Sequence, residues 1–537
     1  MSSESYRVLL LALFCLSLVQ GVSAQQRRLK SETFQNPTQR WREAASGRLK
    51  TTDTKPDAKA LSELQRLHQP EGNWRGIPCP SSAELRSLVN AFLATPNPAF
   101  PGLGSTVPGT SVSWSAPHCG TFNYAAGLRN IENKQHLTPA TPMGIASMTK
   151  PILAAITLKL NEAGAFGPDG LDTKVDQLLR QDQIVALTVG ENPLQPRCPG
   201  ITYLRNRDGI GYSFASFSCP DFSRISLRDL MRANHGMYDF VNEVLQTNTH
   251  NQYDDGLFFT LYQLLGFNPT MPASSKNGYD YLRTYGLKAN NNATVGGNTV
   301  RDFESSFGNT GFQLLGVILE TRTGKTLNEL IWTIIVEPLG LDPITIYIDS
   351  EERQNLIADG YDIYTGEPLI EQTGVYPTVD LNGHTAVNTL SWGLGQPANV
   401  NLAGGAAGLI ANPKSYRAFL HSFVNGGLLG PGGQSELDHS YVLIPEMSND
   451  VVRTFNGFGL LKFELRGFPG LGGVDVYLHN GSLPGVLCQN AVVHTAGSTE
   501  TVATGVICQN SNVNAYPDQF DLLLQFISTF VKTRTQA

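Results

Sequence analysis

Residues 142–150 read Pro142-Met143-Gly144-Ile145-Ala146-Ser147-Met148-Thr149-Lys150, and the apolar run that follows, Ile152 to Leu160, has helical spacing with no internal glycine. The pattern predicts a helix over Ala146–Leu160, with Pro151 tolerated because it lies near the start. Ser147 and Lys150 then sit one turn apart on one face. The unpaired N–H groups of a first helical turn make a positive local field. That field disfavours an ammonium and favours a neutral amine able to accept a serine proton. A chain of this length carries on the order of one or two Ser-x-x-Lys matches by chance, so the pair acquires meaning only from its surroundings.

Outward from this segment, helical patterns fall over Ser81–Leu93, Ser226–Ala233, Asn309–Thr321, Leu327–Ile335 and Phe520–Val531. Pro413–Val424 adds another, with Asn412 as its cap and proline at its first position. Strands are expected early, at Ser111–Trp114 and Gly120–Ala126, and late, at Phe458–Phe463, Val474–Leu478, Val486–Thr495 and Thr501–Gln509. Strands at both ends with helices between them predict an α+β class. An antiparallel sheet is closed by the two ends of the chain, flanked by helices, and interrupted by a mostly helical insertion. Asn290–Thr299 and Thr378–Val400 read as long surface loops, and Asn292 heads a glycosylation sequon.

The 537 residues carry a net charge of −7, which argues against a nucleic-acid partner. Hydrophobic residues make up 41%, ample for a large core, and only Val8–Val19 is continuously apolar. That run is too short to span a bilayer. With Arg7 before it and Gly21-Val22-Ser23-Ala24 after it, it reads as a secretory signal peptide over residues 1–24, so a secreted protein with no membrane attachment after cleavage is expected. Residues 25–84 are polar, with Arg27-Arg28 and several prolines, and read as an extension preceding a globular domain over 85–533.

Six cysteines follow the leader, an even set suited to an oxidising compartment. Cys488 and Cys508 lie equidistant from Ser498 in two β-rich runs, so a hairpin brings them face to face. Cys198 and Cys219 bracket one loop-like stretch, which leaves Cys79 for Cys119. No Cys/His spacing suggests zinc.

Two further segments carry side chains suited to a reactive site. Phe307-Gly308-Asn309 precedes a helix, where the asparagine serves as a cap or brings its amide to Lys150 and a substrate. His479-Asn480-Gly481-Ser482 follows a strand, where Gly481 lets a ligand lie close to the strand edge and His479 faces the same cleft or serves a structural hydrogen bond.

In this order, SMTK, FGN and HNG resemble the three motifs, SxxK, YxN and KTG or HxG, of the serine β-lactamase-like hydrolases related to class C β-lactamases and D-alanyl-D-alanine carboxypeptidases. The likeness extends to Leu171–Val175, ISLRDLMRANHG at 225–236, NTGFQLLG at 309–316, EPLGL at 337–341, Ala403–Leu409 and HNGSLPG at 479–485, and it covers roughly residues 85 to 533. It implies a β-lactamase/transpeptidase-like fold and an esterase or amidase acting through an acyl-enzyme, without metal or organic cofactor. By the same resemblance Ser147 is the nucleophile, Lys150 its activator and Asn309 the orienting amide. His479 and Gly481 line the substrate edge, and the N–H groups of Ser147 and Ser482 form the oxyanion hole.

The sequence departs from the family at Phe307, which stands where the motif has a tyrosine that shuttles protons. Losing such a group costs about 10²–10⁴ in rate. Either Lys150 carries the protons alone or with water, or a nearby tyrosine such as Tyr238 substitutes, or catalysis is lost and the cleft binds a ligand or polymer. His479 in place of lysine weakens the case for a substrate carboxylate, so small or peptide-like esters and amides are the expected substrates.

Overall fold

The computed structural model describes residues 79–97, 103–189, 198, 200–205, 212–237, 243–244, 287, 289–290, 309–344, 357–363, 378–388, 404–468, 470–483, 485–511 and 518–535. The expected leader at 1–24, most of the expected extension at 25–84, Tyr238, Asn292 and Phe307 lie outside these residues.

The backbone of the molecule is an antiparallel sheet with ten strands among the described residues. Its early strands are β1 (Gly109–Ala116), β2 (Gly120–Asn130) and the short β3 (Gln135–His136). A separate pair joins β4 (Met143–Ala146) to β5 (Leu409–Ala411). The late strands are β6 (Val442–Leu443), β7 (Val452–Asn456), β8 (Leu461–Leu465), β9 (Val474–Leu478), β10 (Asn480–Leu483), β11 (Val486–Thr495) and β12 (Thr501–Gln509). The order across the large sheet is β6-β7-β8-β9-β11-β12-β1-β2-β3, with β10 continuing along the edge of β11. The two ends of the chain therefore meet in the middle, where β1 pairs with β12.

Alternation along these strands divides the sheet into two faces. One face, carrying Val112, Trp114, Phe463, Val476, Val493 and Ile507, is closed by α1 (Ser82–Ala94) and the C-terminal helix (Gln519–Thr535). Ser81 caps α1 by accepting from the Glu84 N–H at 3.1 Å, and Leu85, Val89 and Phe92 point inward from it. Trp114 lies 5.1 Å from Phe526 and 5.8 Å from Phe530, centroid to centroid, with its indole directly over Gly505 on the neighbouring strand.

The opposite face supports the larger core. It packs on α2 (Thr149–Glu162), α3 (Leu227–Met231), α4 (Asn309–Thr323) and α5 (Pro413–Val424). Every residue of α2 from Thr149 to Leu158 is buried, which explains why its sequence lacks a polar stripe. Asn412 caps α5 by accepting from the Ser415 N–H at 2.8 Å, and Pro413 occupies its first turn.

Three differences from the sequence expectations have physical causes. The helix after Ser147 starts at Thr149, because β4 runs to Ala146 and the chain must turn before it can coil. The stretch 378–388, expected as loop, is a hairpin of Thr378–Leu381 with His384–Asn388, turned by Asn382 and Gly383 at positive φ. The middle of the chain is less purely helical than expected. Among the described residues it holds this hairpin, paired with Tyr361–Ile363, and a four-stranded sheet built on Gly200–Arg205 and Tyr212–Ser218. Just ahead of residue 85, α1 starts at Ser82 and Cys79 is bonded to Cys119.

The structure joins Cys79 to Cys119, Cys198 to Cys219, and Cys488 to Cys508, with Cα separations of 5.5, 4.9 and 4.1 Å. No helix among the described residues is long and apolar enough to cross a membrane.

Candidate active site

Ser147 stands in the turn between β4 and α2, one residue outside the helix cap at Met148. The residue before it, Ala146, has a φ of 46°, a left-handed conformation that costs a non-glycine residue about 1–2 kcal/mol. The Lys150 N–H closes the turn on the Ser147 carbonyl at 3.0 Å, and this brings the two side chains together. Lys150 Nζ lies 2.8 Å from Ser147 Oγ, 2.8 Å from Asn309 Oδ1 and 2.9 Å from the Ala406 carbonyl. Ser147 and Lys150 are 5% and 2% exposed, so the pair works largely out of bulk water.

The three oxygens around Nζ are not equivalent. The Asn309 and Ala406 oxygens only accept, whereas the Ser147 hydroxyl can also donate. A neutral amine therefore gives its two protons to Asn309 and Ala406 and turns its lone pair to the serine proton. Asn309 is the first residue of α4, and Ala406 lies just before β5, so two distant elements fix the amine's orientation.

β10 supplies the opposite wall. A Cβ at Gly481 would fall 2.0 Å from the Ile145 carbonyl and 3.2 Å from Ala146 Cβ, so only glycine lets β10 lie against the Ser147 turn. His479, immediately before β10, is 3% exposed. Its backbone N–H donates to Asn490 Oδ1 at 3.1 Å, and its ring makes no hydrogen bond among the described residues. Burial holds the imidazole pKa well below its ordinary value, so the ring is neutral at pH 7. The Ser147 N–H has no acceptor among the described residues. Ser482, on β10, is also buried.

The structure thus brings Ser147, Lys150, Asn309 and the His479–Ser482 strand to one place, although 332 residues separate Ser147 from His479 (479 minus 147). It also reveals partners that the motifs did not announce. The Thr149 hydroxyl donates to the Ala146 carbonyl at 2.6 Å and accepts from the Leu409 N–H at 3.1 Å. The Tyr416 hydroxyl donates to the Met148 carbonyl at 2.6 Å. The helical pattern placed Tyr416 on α5, but nothing local showed that its hydroxyl reaches the Ser147 turn.

The sequence profile of the family described as Beta-lactamase matches residues 106–485. No curated protein matches the chain. Among solved structures, the D-amino acid amidase from Ochrobactrum anthropi SV3, complexed with L-phenylalanine, is similar with a TM-score of 0.54 and 16% identity, over 84% of this chain and 98% of that one. The octameric penicillin-binding protein homologue from Pyrococcus abyssi is similar with a TM-score of 0.53 and 17% identity, over 85% and 78%. EstCE1, described as a hydrolase with promiscuous acyltransferase activity, gives 0.51 and 16%, over 83% and 99%. At these identities the structures speak to the fold, and the family match, which spans well over half of the chain and both outer motif regions, speaks to kinship: the chain belongs to the beta-lactamase family.

Proposed function

We propose that the protein is a secreted serine hydrolase that cleaves small esters or amides through an acyl-enzyme on Ser147. The observation that carries this reading is the contact of Lys150 Nζ with Ser147 Oγ at 2.8 Å, beside the Asn309 and Ala406 oxygens, which can only accept. In the proposed cycle, Ser147 Oγ attacks the substrate carbonyl as its proton passes to Lys150. The N–H groups of Ser147 and Ser482 take the charge that develops on the carbonyl oxygen, the contribution that is usually largest in acyl transfer. Lys150 returns the proton to the departing alcohol or amine. A water, giving its proton to Lys150, then attacks the acyl-enzyme, and Ser147 recovers its hydrogen as the acid leaves.

The amidase and esterase among the similar structures support amides and esters as the substrate class. A neutral His479 in place of a cation supports substrates without a free carboxylate at that edge. The leader at 1–24 and the three disulfides support export to an oxidising compartment. A second reading, a weak or retired enzyme that binds a ligand in the same cleft, is favoured by Phe307 at the position of the motif tyrosine.

The test is a panel of aryl esters and D-amino acid amides assayed with the wild type and Ser147→Ala. Turnover by the wild type, lost in the variant, supports the hydrolase. Saturable binding of the same compounds by both proteins, with no turnover, moves the assignment to the second reading.

A further inference from the structure

The Ser147 turn is held from outside itself. Ala146 is in a conformation that L-residues avoid, so the turn relaxes unless its carbonyls are tied down. One tie is local, from the Thr149 hydroxyl to the Ala146 carbonyl, and Leu409 of β5 fixes that hydroxyl in turn. The second comes from α5, where the Tyr416 hydroxyl donates to the Met148 carbonyl at 2.6 Å, between Ser147 and the first helical residue. Tyr416 is fully buried, its ring stands edge-on to Phe419 at 5.5 Å, and Phe419 stacks on Phe423 at 5.6 Å. The ring therefore has one position available to it.

We propose that Tyr416 is a positioning residue for Ser147: its hydroxyl anchors the carbonyl of the turn and so sets the distance between Ser147 Oγ and Lys150 Nζ. The proposal rests on the reading of Ser147 as the nucleophile. Tyr416 does not itself relay protons, because its one hydroxyl hydrogen is committed to a backbone carbonyl and burial holds the phenol well above its ordinary range. Its action is geometric. A misplacement of about 1 Å at a reacting group can cost about 10²-fold in rate, so a shift of about half that size is expected to cost about tenfold.

The experiment compares wild type, Tyr416→Phe and Tyr441→Phe. Tyr441 is the control, since its hydroxyl is buried with no hydrogen-bond partner among the described residues and its ring packs on Tyr477. Three quantities are read: kcat and KM on an aryl ester, the rate of covalent labelling by an alkyl fluorophosphonate, and the thermal midpoint. Tyr416→Phe is expected to lower kcat and the labelling rate about tenfold, with KM within about twofold, because the loss falls on attack and not on substrate contact. Tyr441→Phe is expected to leave both rates unchanged. A Tyr416→Phe protein that labels at the wild-type rate, even with a lowered midpoint, overturns the proposal, since its hydroxyl then serves stability alone. If the wild type itself neither turns over nor labels, the hydrolase reading fails separately. The crystal structure of Tyr416→Phe then decides the positioning claim: a Ser147–Lys150 separation beyond about 3.5 Å upholds it, and an unchanged separation contradicts it.

Discussion

At the scale of single residues, the site depends on what surrounds one amine. Three oxygens among the described residues lie against Lys150 Nζ, and of these only the Ser147 hydroxyl can return a proton. Replacing Lys150 with methionine keeps the stem packed and removes the acceptor, so hydrolysis should fall by about 10²–10⁴-fold while the fold persists, read as kcat with a thermal melt alongside. Residual activity near wild type would mean that another base takes the serine proton. Phe307 bears on the same point from the sequence alone. Phe307→Tyr should raise hydrolysis of a generic ester, and an unchanged or lower rate would show that Lys150 lacks no partner. The Ser/Lys spacing was legible because i and i+3 side chains are neighbours wherever a helix begins. The turn that precedes the helix was not, because a positive φ at an alanine leaves no mark in composition.

At the scale of elements, glycine and aromatic positions set how closely strands and helices approach. Trp114 lies over Gly505, where a Cβ would fall 1.8 Å from the indole. Gly505→Val must therefore expel the indole from between Phe526 and Phe530 or part β12 from β1. We expect a loss of about 3–5 kcal/mol, comparable to deleting a buried large aromatic, measured by urea denaturation. A variant as stable as wild type would show that the indole does not occupy that position. Three late strands were readable to the residue, since Val474–Leu478, Val486–Thr495 and Thr501–Gln509 are rich in valine and bounded by turn residues, whereas the strand expected at Phe458–Phe463 runs over Leu461–Leu465, after a turn at Gly459 with positive φ. Leu327–Ile335 was only half readable. Its first turn is the α-helix Leu327–Ile331 with a Thr326/Glu329 capping box, but Trp332–Val336 winds more loosely as a π-helix, a choice made by packing and not by propensity.

At the scale of the whole molecule, buried imidazoles couple folding to pH. His235 is pushed down to about 3 and His494 to about 4, in both mainly by burial, and His479 is also held well below its ordinary value. Each native pKa lies below that of the unfolded chain, so the unfolded state takes up protons first as pH falls. The stability these groups hold is complete above about pH 6.5 and is lost on the way down to their native values. Between pH 7.5 and 5, His235 and His494 should each remove about 2 kcal/mol. The buried carboxyls of Asp359 and Asp518, whose pKa values burial raises, work the other way: the folded state takes up their protons first as pH falls, so each restores stability between its raised native value and its lower unfolded value, against the three imidazoles. The urea midpoint should therefore be clearly lower at pH 5 than at pH 7.5 with an unchanged m-value, and an equal or higher midpoint would contradict the burial of these rings. The layout of sheet, flanking helices and closure by both chain ends followed from where strand-like and helix-like segments fall in the sequence. The small sheets of the middle region did not, because short strands in Gly- and Asn-rich stretches have too little apolar alternation to stand out.

The central claim is that the Ser147 hydroxyl is an activated nucleophile. Its most direct test is to incubate the intact protein with an alkyl fluorophosphonate, weigh it by mass spectrometry and map the modified peptide. A single adduct on Ser147, absent from Ser147→Ala and from Lys150→Met, is the predicted result. An unmodified wild type, or an adduct on a different residue, would contradict it.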